Sequence, residues 1–274
     1  MPTVRANGLD TYYERDDFTD PWTKSETVWI QHGYGRSSRH WYHWVPRLAR
    51  EYCVLRRDLR GHGQSTDPGP AYVWTVEDLL EDMLGFLDAV GLEKVHYVGE
   101  SVGGILGIAF AARWPERFKS MTLVAAPTAI HPHVQEMFAI GRRNWVTAMG
   151  EVGGDGWAME LAQRGNADPN VLNNPGQAQW LLQEWSKTPR HVLQGLARLA
   201  AVVDVAPLLP QVKVPTLILA PGNSPITSLG EQVMIRQTIP DARIAVVDRP
   251  GHEIYLSSAN ECIGALLPFL RWAS

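Results

Sequence analysis

The sequence predicts an α/β fold, in which a mostly parallel β-sheet is covered by helices on both faces. Short apolar runs alternate with amphipathic helical stretches along most of the 274 residues, and this alternation is typical of parallel sheets. The clearest helical stretch is 74–91, which Thr75 can cap and Gly91 can end. The alternation is interrupted once, by a helical, aromatic-rich segment at 128–203.

The elements follow one another in a regular order. A β-hairpin is predicted first, at 3–6 and 11–15. Further strands are predicted by short apolar runs at 27–33, 52–58, 94–99, 120–126, 215–222 and 243–251. Helices are predicted at 37–51, 74–91, 102–113, 228–238 and 256–271. We therefore expect a core of residues 1–127 and 204–274, with residues 128–203 inserted as a helical cap.

The composition excludes several classes of function. The chain is 45% hydrophobic and 20% charged with a net charge of −4, so a nucleic-acid partner is not expected. No apolar run is long enough to cross a bilayer, and the N-terminal stretch has no apolar signal core. The two cysteines, Cys53 and Cys262, are expected to be buried thiols rather than a bridge, which indicates a cytoplasmic protein.

One short motif carries most of the functional prediction. Residues 99–103 read Gly-Glu-Ser-Val-Gly, after a predicted strand and before a predicted helix. A sharp strand-to-helix turn holds its serine in a strained conformation at the carboxyl edge of the sheet, and the glycines remove Cβ atoms that would clash. We therefore predict that Ser101 is a nucleophile, and we interpret Glu100 as a rim residue without a chemical role.

A serine nucleophile needs a base and an oxyanion site. His252 directly follows the last predicted strand, at the sheet edge where Ser101 is expected, so it is the predicted base. The backbone N–H groups of Tyr34, after the first central strand, and of Val102, after the nucleophile, are the predicted oxyanion donors.

These motifs resemble those of the α/β-hydrolase superfamily. The elbow at 99–103, "QHGYG" at 31–35, "RRDLRGHGQS" at 56–65 and "PGHEIY" at 250–255 occur in order over nearly the whole chain. The resemblance implies an eight-stranded, mostly parallel sheet with an inserted helical cap. It also suggests the esterase, lactonase and carbon–carbon hydrolase branch, and it assigns Asp58 a structural role.

The sequence departs from the family at the third catalytic residue. Family members usually place an aspartate after the strand that reads "TLILAPG" here, but this chain has Asn223 and Ser224 without a carboxylate. The other position, after the strand that ends near Ala126, has no acid either. An amide in place of that acid can lower turnover by about four orders of magnitude.

Four explanations of the missing acid remain open. Asn223 or Ser224 could orient His252 by hydrogen bonding. Asp204 could supply the carboxylate, although its sequence context also predicts a helix N-cap. Glu231 has capping-box spacing and is expected to act locally. The protein could also turn over slowly, with the neighbours Asp248 and Glu253 as remaining candidates.

The cap is expected to form the substrate pocket. Its tryptophans are predicted to line an apolar cleft above Ser101, namely Trp145, Trp157, Trp180 and Trp185. Arg36 and Arg39 are equally compatible with binding a substrate carboxylate and with a solvated surface. The histidine pairs at 40 and 43 and at 131 and 133 have no evident third metal ligand, so no metal site is predicted.

The sequence therefore predicts a serine hydrolase, without cofactor or metal, that cleaves a carboxylic ester or lactone. The expected substrate is a small hydrophobic or aromatic molecule, and neither a nucleic acid nor a membrane is an expected partner. The sequence allows a homodimer. A carbon–carbon bond hydrolase acting on a diketone and a slow or non-catalytic ligand-binding protein on the same scaffold are the alternatives.

Overall fold

A computed structural model describes residues 2–166 and 173–274. Eight strands form one sheet, in the order β1-β2-β4-β3-β5-β6-β7-β8. The strands are β1 (Thr3–Ala6), β2 (Leu9–Asp16), β3 (Thr27–Gln31), β4 (Cys53–Arg57), β5 (Val95–Glu100), β6 (Phe118–Val124), β7 (Thr216–Asn223) and β8 (Ala242–Pro250). The pairs β1–β2 and β2–β4 are antiparallel and the other pairs are parallel, so the predicted fold class is confirmed.

Helices cover both faces of the sheet. In the part of the chain that the structure describes they are α1 (Val45–Leu48), α2 (Val76–Ala89), α3 (Val102–Arg113), α4 (Pro132–Phe138), α5 (Trp145–Gln163), α6 (Pro175–Trp185), α7 (Arg190–Ala200), α8 (Leu229–Thr238), α9 (Ile254–Ser257) and α10 (Ala259–Ala273). None of these is long and apolar enough to cross a membrane.

Alternating side chains of the sheet build an apolar layer on each face. On β3, Trp29 packs in one layer with Phe86 of α2 and Phe110 of α3. Its neighbours Val28 and Ile30 belong to the other layer, which α10 completes. Because successive residues of a strand point to opposite faces, one five-residue strand supports both layers.

The predicted helix at 37–51 is much shorter in the structure. A 3₁₀ turn covers Ser38–Trp41, and α1 covers only Val45–Leu48. Pro46 lies in the first turn of α1. Proline has no N–H to bond to a preceding turn, so a single helix cannot run through this position.

Helices α4 to α7 lie between β6 and β7 in the chain, in the segment predicted to be the cap, and we refer to them as the cap. Ala129 and Asp204 pair as an isolated antiparallel bridge, where the chain leaves and re-enters the core. Within α5 the helix is kinked at Gly153, whose φ is 72° and ψ −175°. This left-handed conformation is available to glycine without the Cβ clash that other residues meet.

Candidate active site

The turn between β5 and α3 holds Ser101 in a strained backbone conformation. Its φ is 50° and its ψ is −117°, a combination that is rare for residues with a side chain. A Cβ atom on Gly99 would lie 2.6 Å from the carbonyl oxygen of Gly103, so the turn requires glycine there. Ser101 is thereby placed at the carboxyl end of β5, as the motif predicts.

Ser101 lines a cavity of about 590 Å³ between the sheet edge and the cap. Residues from six separate parts of the chain form its walls, among them Tyr34, Val102, Phe138, Leu181, Asn223 and His252. The structure therefore brings together Ser101, His252, Tyr34 and Val102, which the sequence assigned to one site.

His252 lies on the loop between β8 and α9, and its side chain is largely buried. Its Nε2 atom is 3.6 Å from Oε1 of Glu100. Its Nδ1 atom is buried and has no hydrogen-bond partner among the residues that the structure describes. Burial, with a smaller contribution from Arg36, lowers the pKa of His252 to about 3. The imidazole is therefore neutral at physiological pH and able to accept a proton.

Glu100 is part of this site, although the sequence interpretation gave it no role. Its side chain is 5% exposed, and its Oε2 accepts a hydrogen bond of 2.8 Å from the Gly33 N–H. Burial raises the pKa of Glu100 to about 7, while Arg36 and the Gly33 N–H act in the opposite direction. The available sequence signal was its place beside Ser101, at the same strand end.

Both predicted oxyanion donors are free to bind a ligand. Within residues 2–166 and 173–274, neither the Tyr34 N–H nor the Val102 N–H has a protein acceptor. The Gly33 N–H, by contrast, is occupied by Glu100. The Tyr34 hydroxyl donates to the Leu193 carbonyl oxygen at 2.7 Å, which ties this loop to α7 of the cap.

Neither Asn223, the last residue of β7, nor Ser224 orients the His252 imidazole by a hydrogen bond in the described structure. The Ser224 hydroxyl oxygen accepts hydrogen bonds from the N–H groups of Ile226 at 3.1 Å and Thr227 at 3.2 Å, so it caps its own turn. The Asn223 carbonyl oxygen accepts from the Gly251 N–H at 2.8 Å. This contact fixes the loop that carries His252 through the backbone rather than through the imidazole.

The carboxylates of Asp204 and Glu231 also bond to groups other than His252. Asp204 is exposed, and its carboxylate accepts a 2.8 Å hydrogen bond from the Ala206 N–H. It does not line the cavity that contains Ser101, so the structure does not support Asp204 as the catalytic acid. Its capping contact is the alternative that its sequence context favoured. The Glu231 carboxylate accepts from the Thr128 N–H at 2.9 Å and lies 3.1 Å from His131 Nε2.

Neither of the acids near His252 in the sequence lies within 4 Å of its ring nitrogens. Glu253 forms an ion pair with Arg36, whose guanidinium lies 4.4 Å above the Trp185 ring. Asp248 is exposed on β8. Glu100 is thus the one carboxylate within 4 Å of the His252 ring nitrogens in the described structure. Arg39 is exposed and pairs with Glu184 at 3.2 Å.

Three of the four predicted tryptophans line the cavity, namely Trp145, Trp157 and Trp185. Trp180 does not, and the prediction for it is wrong: it packs against His40 and Tyr42, with ring centroids 5.2 and 5.5 Å apart. Trp180 and Trp185 are five residues apart on α6, about 140° around a helix with 3.6 residues per turn. The two rings therefore face different surroundings.

The histidine pairs have local partners. His40 Nδ1 accepts a 3.1 Å hydrogen bond from the Ser37 N–H and so caps the 3₁₀ turn. His131 contacts Glu231 as described above. Across the described residues, no group of three or more histidine, cysteine, aspartate and glutamate side chains is arranged to hold a metal ion.

The sequence and the fold are similar to those of known hydrolases. Residues 26–150 match the family model for the alpha/beta hydrolase fold. The chain is 24% identical over 263 residues to a Pseudomonas savastanoi pv. phaseolicola protein named provisionally as carbamate hydrolase RutD, covering 88% of this chain and 92% of that protein. It is 29% identical over 211 residues to 3-oxoadipate enol-lactonase 1 of Acinetobacter baylyi, covering 75% of each.

Among solved structures, the enol-lactonase of Burkholderia xenovorans LB400 has a similar fold. It superposes with a TM-score of 0.83 at 22% identity, over 98% of this chain and 100% of that one. The family match, the relatives and the eight-stranded sheet agree with the order of motifs along the sequence. The chain has the α/β-hydrolase fold, and over most of its length it is similar to proteins named as hydrolases.

Proposed function

We propose that this protein is a serine hydrolase that cleaves a carboxylic ester or lactone of a small hydrophobic or aromatic substrate. The observation that carries this proposal is the position of Ser101, in a strained turn that lines a largely apolar cavity together with His252. A strained serine that shares a cavity with a neutral, buried imidazole is suited to nucleophilic acyl transfer.

The reaction proceeds in two halves. Ser101 Oγ attacks the substrate carbonyl, and its proton passes to the neutral imidazole of His252. The N–H groups of Tyr34 and Val102 bind the oxygen that becomes negative, and His252 then gives its proton to the leaving oxygen. Water, activated by the same imidazole, releases the acyl group from Ser101 and regenerates the enzyme.

The cavity walls support an apolar substrate. Aromatic rings of Phe138, Trp145, Trp157 and Trp185 surround the space above Ser101, and such walls bind rings and acyl chains by removing apolar surface from water. The similarity to an enol-lactonase supports the inclusion of lactones among the candidate substrates.

A cytoplasmic location is part of this proposal. Cys53 and Cys262 are both buried and free. Unpaired cysteines are expected in a compartment that keeps thiols reduced. Fractionation of cells that produce the protein tests this part, and recovery in the periplasm or the medium would refute it.

The nucleophile is tested by covalent labelling with a fluorophosphonate probe. Wild-type protein should be labelled and Ser101→Ala should not, because the probe reacts with an activated serine. Ser186→Ala is the matched control, since Ser186 is exposed and bonds only to the Gln183 carbonyl oxygen of its own helix. Equal labelling of wild type and Ser101→Ala would refute the assignment.

The reaction class is tested with p-nitrophenyl esters, aryl lactones and a vinylogous diketone as substrates. Loss of ester and lactone hydrolysis in Ser101→Ala supports the proposal. Turnover of the diketone alone would replace it with carbon–carbon hydrolysis.

A further inference from the structure

We propose that Glu100 is the anionic partner of His252, in place of the acid that the loop after β7 lacks. This inference rests on the proposed serine-hydrolase function. Glu100 acts through the imidazole, so it is a positioning residue rather than a group that touches the substrate. In this site the carboxylate comes from the elbow itself, one residue before the nucleophile.

The two carboxylate oxygens of Glu100 face different partners. Oε2 accepts the 2.8 Å hydrogen bond from the Gly33 N–H, which fixes the carboxylate between the elbow and the loop that carries Tyr34. Oε1 faces His252 Nε2 at 3.6 Å. The carboxylate is buried on all other sides, so its charge acts on the imidazole without strong screening by water.

The 3.6 Å separation matters for the chemistry. It is longer than a hydrogen bond, so Glu100 does not hold the Nε2 lone pair that must take the serine proton. It is short enough for a strong charge interaction once the imidazolium forms. The negative charge of Glu100 therefore stabilises the intermediate more than the resting state, which is the condition for catalysis.

Glu100 neither gains nor loses a proton during the reaction. The Ser101 hydroxyl proton moves to His252 Nε2 as the Oγ–carbon bond forms, and Glu100 remains a carboxylate. The same proton then moves from Nε2 to the leaving oxygen as that bond breaks. In deacylation a water proton follows the same path, and Glu100 again compensates only the transient positive charge.

Arg36 influences the protonation of both Glu100 and His252. Its positive charge lowers the pKa of both Glu100 and His252, which favours the carboxylate but disfavours the imidazolium. Glu253 pairs with Arg36 and reduces both effects. Burial, and to a smaller extent the charge of Glu100, raises the pKa of Tyr255, so the Tyr255 hydroxyl stays protonated.

Two substitutions of Glu100 separate a charge role from a structural one. Glu100→Gln keeps the shape and an oxygen for the Gly33 N–H, but removes the charge. Glu100→Asp keeps the charge but withdraws the carboxylate from Gly33. If the charge is what matters, kcat should decrease in the order wild type, Glu100→Asp, Glu100→Gln. If Glu100 only anchors Gly33, Glu100→Gln should be close to wild type and Glu100→Asp the poorer enzyme.

The expected effect is large in kcat and small in KM. Glu100→Gln should lower kcat for a p-nitrophenyl ester by about 100-fold, with KM within about threefold, because the charge is needed only after proton transfer. In wild type, kcat/KM should rise with pH through about 7 as Glu100 ionises. This limb should be absent in Glu100→Gln and retained in Glu100→Asp.

The outcomes distinguish this inference from the proposed function. Fluorophosphonate labelling of Ser101 in wild type is measured first, and its absence would refute the serine-hydrolase assignment itself. If Ser101 is labelled but Glu100→Gln keeps kcat within threefold of wild type and retains the pH limb, the function stands and the role of Glu100 is wrong. Circular dichroism of both variants excludes misfolding as the cause of a loss.

Discussion

At the residue scale, the two ring nitrogens of His252 have unequal surroundings. In the usual serine triad, one carboxylate both holds the Nδ1–H and balances the charge of the imidazolium. Here Glu100 faces Nε2, while Nδ1 is buried without a partner in the described part of the chain. The Nδ1–H that the reactive tautomer needs therefore has no acceptor, and an unpaired buried donor disfavours that tautomer.

A carboxylate at position 224 should supply the missing acceptor. Asp in place of Ser224 can still cap the N–H groups of Ile226 and Thr227, as the serine oxygen does now. We expect Ser224→Asp to raise kcat about tenfold, because it offers the Nδ1–H a charged partner where the fold usually has one. Steady-state kinetics on a p-nitrophenyl ester measures the change.

Ser224→Asn is the matched control for this prediction, since it provides the same cap without the charge. A kcat for Ser224→Asp no higher than that for Ser224→Asn would mean that the missing partner of His252 Nδ1 does not limit turnover.

Asp204→Asn should leave kcat within about twofold of wild type, because its carboxylate caps Ala206 at the surface.

At the scale of secondary-structure elements, the cap and the oxyanion loop are fitted to each other. Trp185, the last residue of α6, lies against Gly35, where an added Cβ would be 1.9 Å from its ring. Gly35 also has a positive φ of 66°, which other residues rarely adopt. The loop that presents the Tyr34 N–H is therefore shaped by contact with the cap as well as by its own sequence.

Trp157 lines the cavity and Trp180 does not, so we expect different effects when each is shortened. Trp157→Leu removes part of the cavity wall, so KM for phenyl esters should rise about tenfold while KM for acetyl esters changes less than about twofold. Trp180→Leu is the control, because Trp180 packs on His40 and Tyr42 outside the cavity. Initial-rate measurements with both ester series test this, and an equal loss of selectivity in the two variants would contradict it.

At the scale of the whole molecule, burial of Glu100 opposes folding at neutral and alkaline pH. Its pKa is about 7 in the folded protein and 4.5 as the ordinary value, so the folded state binds this proton more tightly than the unfolded state. For a carboxyl group with a raised pKa, the contribution to the free energy of unfolding decreases as pH rises between these two values. The site thus lowers the stability of the fold under the conditions in which it works.

Glu100→Gln should remove this pH-dependent loss. We expect the variant to match wild type in free energy of unfolding near pH 4.5, and to exceed it by up to about 3 kcal/mol above pH 7, from 1.36 kcal/mol per pKa unit. Urea denaturation of both proteins at pH 5 and pH 8 measures the difference. A difference that does not grow between these pH values would show that Glu100 is not buried as a charge.

Much of this protein follows from its sequence alone. Apolar runs that fit strands, and glycines at 99 and 103 that allow a sharp turn, predicted the sheet, the position of Ser101 and the loop of His252. These features depend on local chemistry, such as side-chain periodicity and the absence of a Cβ, which a short stretch of sequence carries. The helix predicted at 37–51 is too long, because Pro46 can lie in the first turn of a helix but cannot bond to a preceding turn.

Only the tertiary structure decided which carboxylate faces His252. Glu100 and His252 are far apart in the chain, and their 3.6 Å separation depends on where β5 and the loop after β8 lie in one sheet. In the same way, Trp185 lines the cavity and Trp180 does not, because the packing of α6 fixes which face meets the core. Distances between elements arise from the packing of the whole chain, so no local pattern contains them.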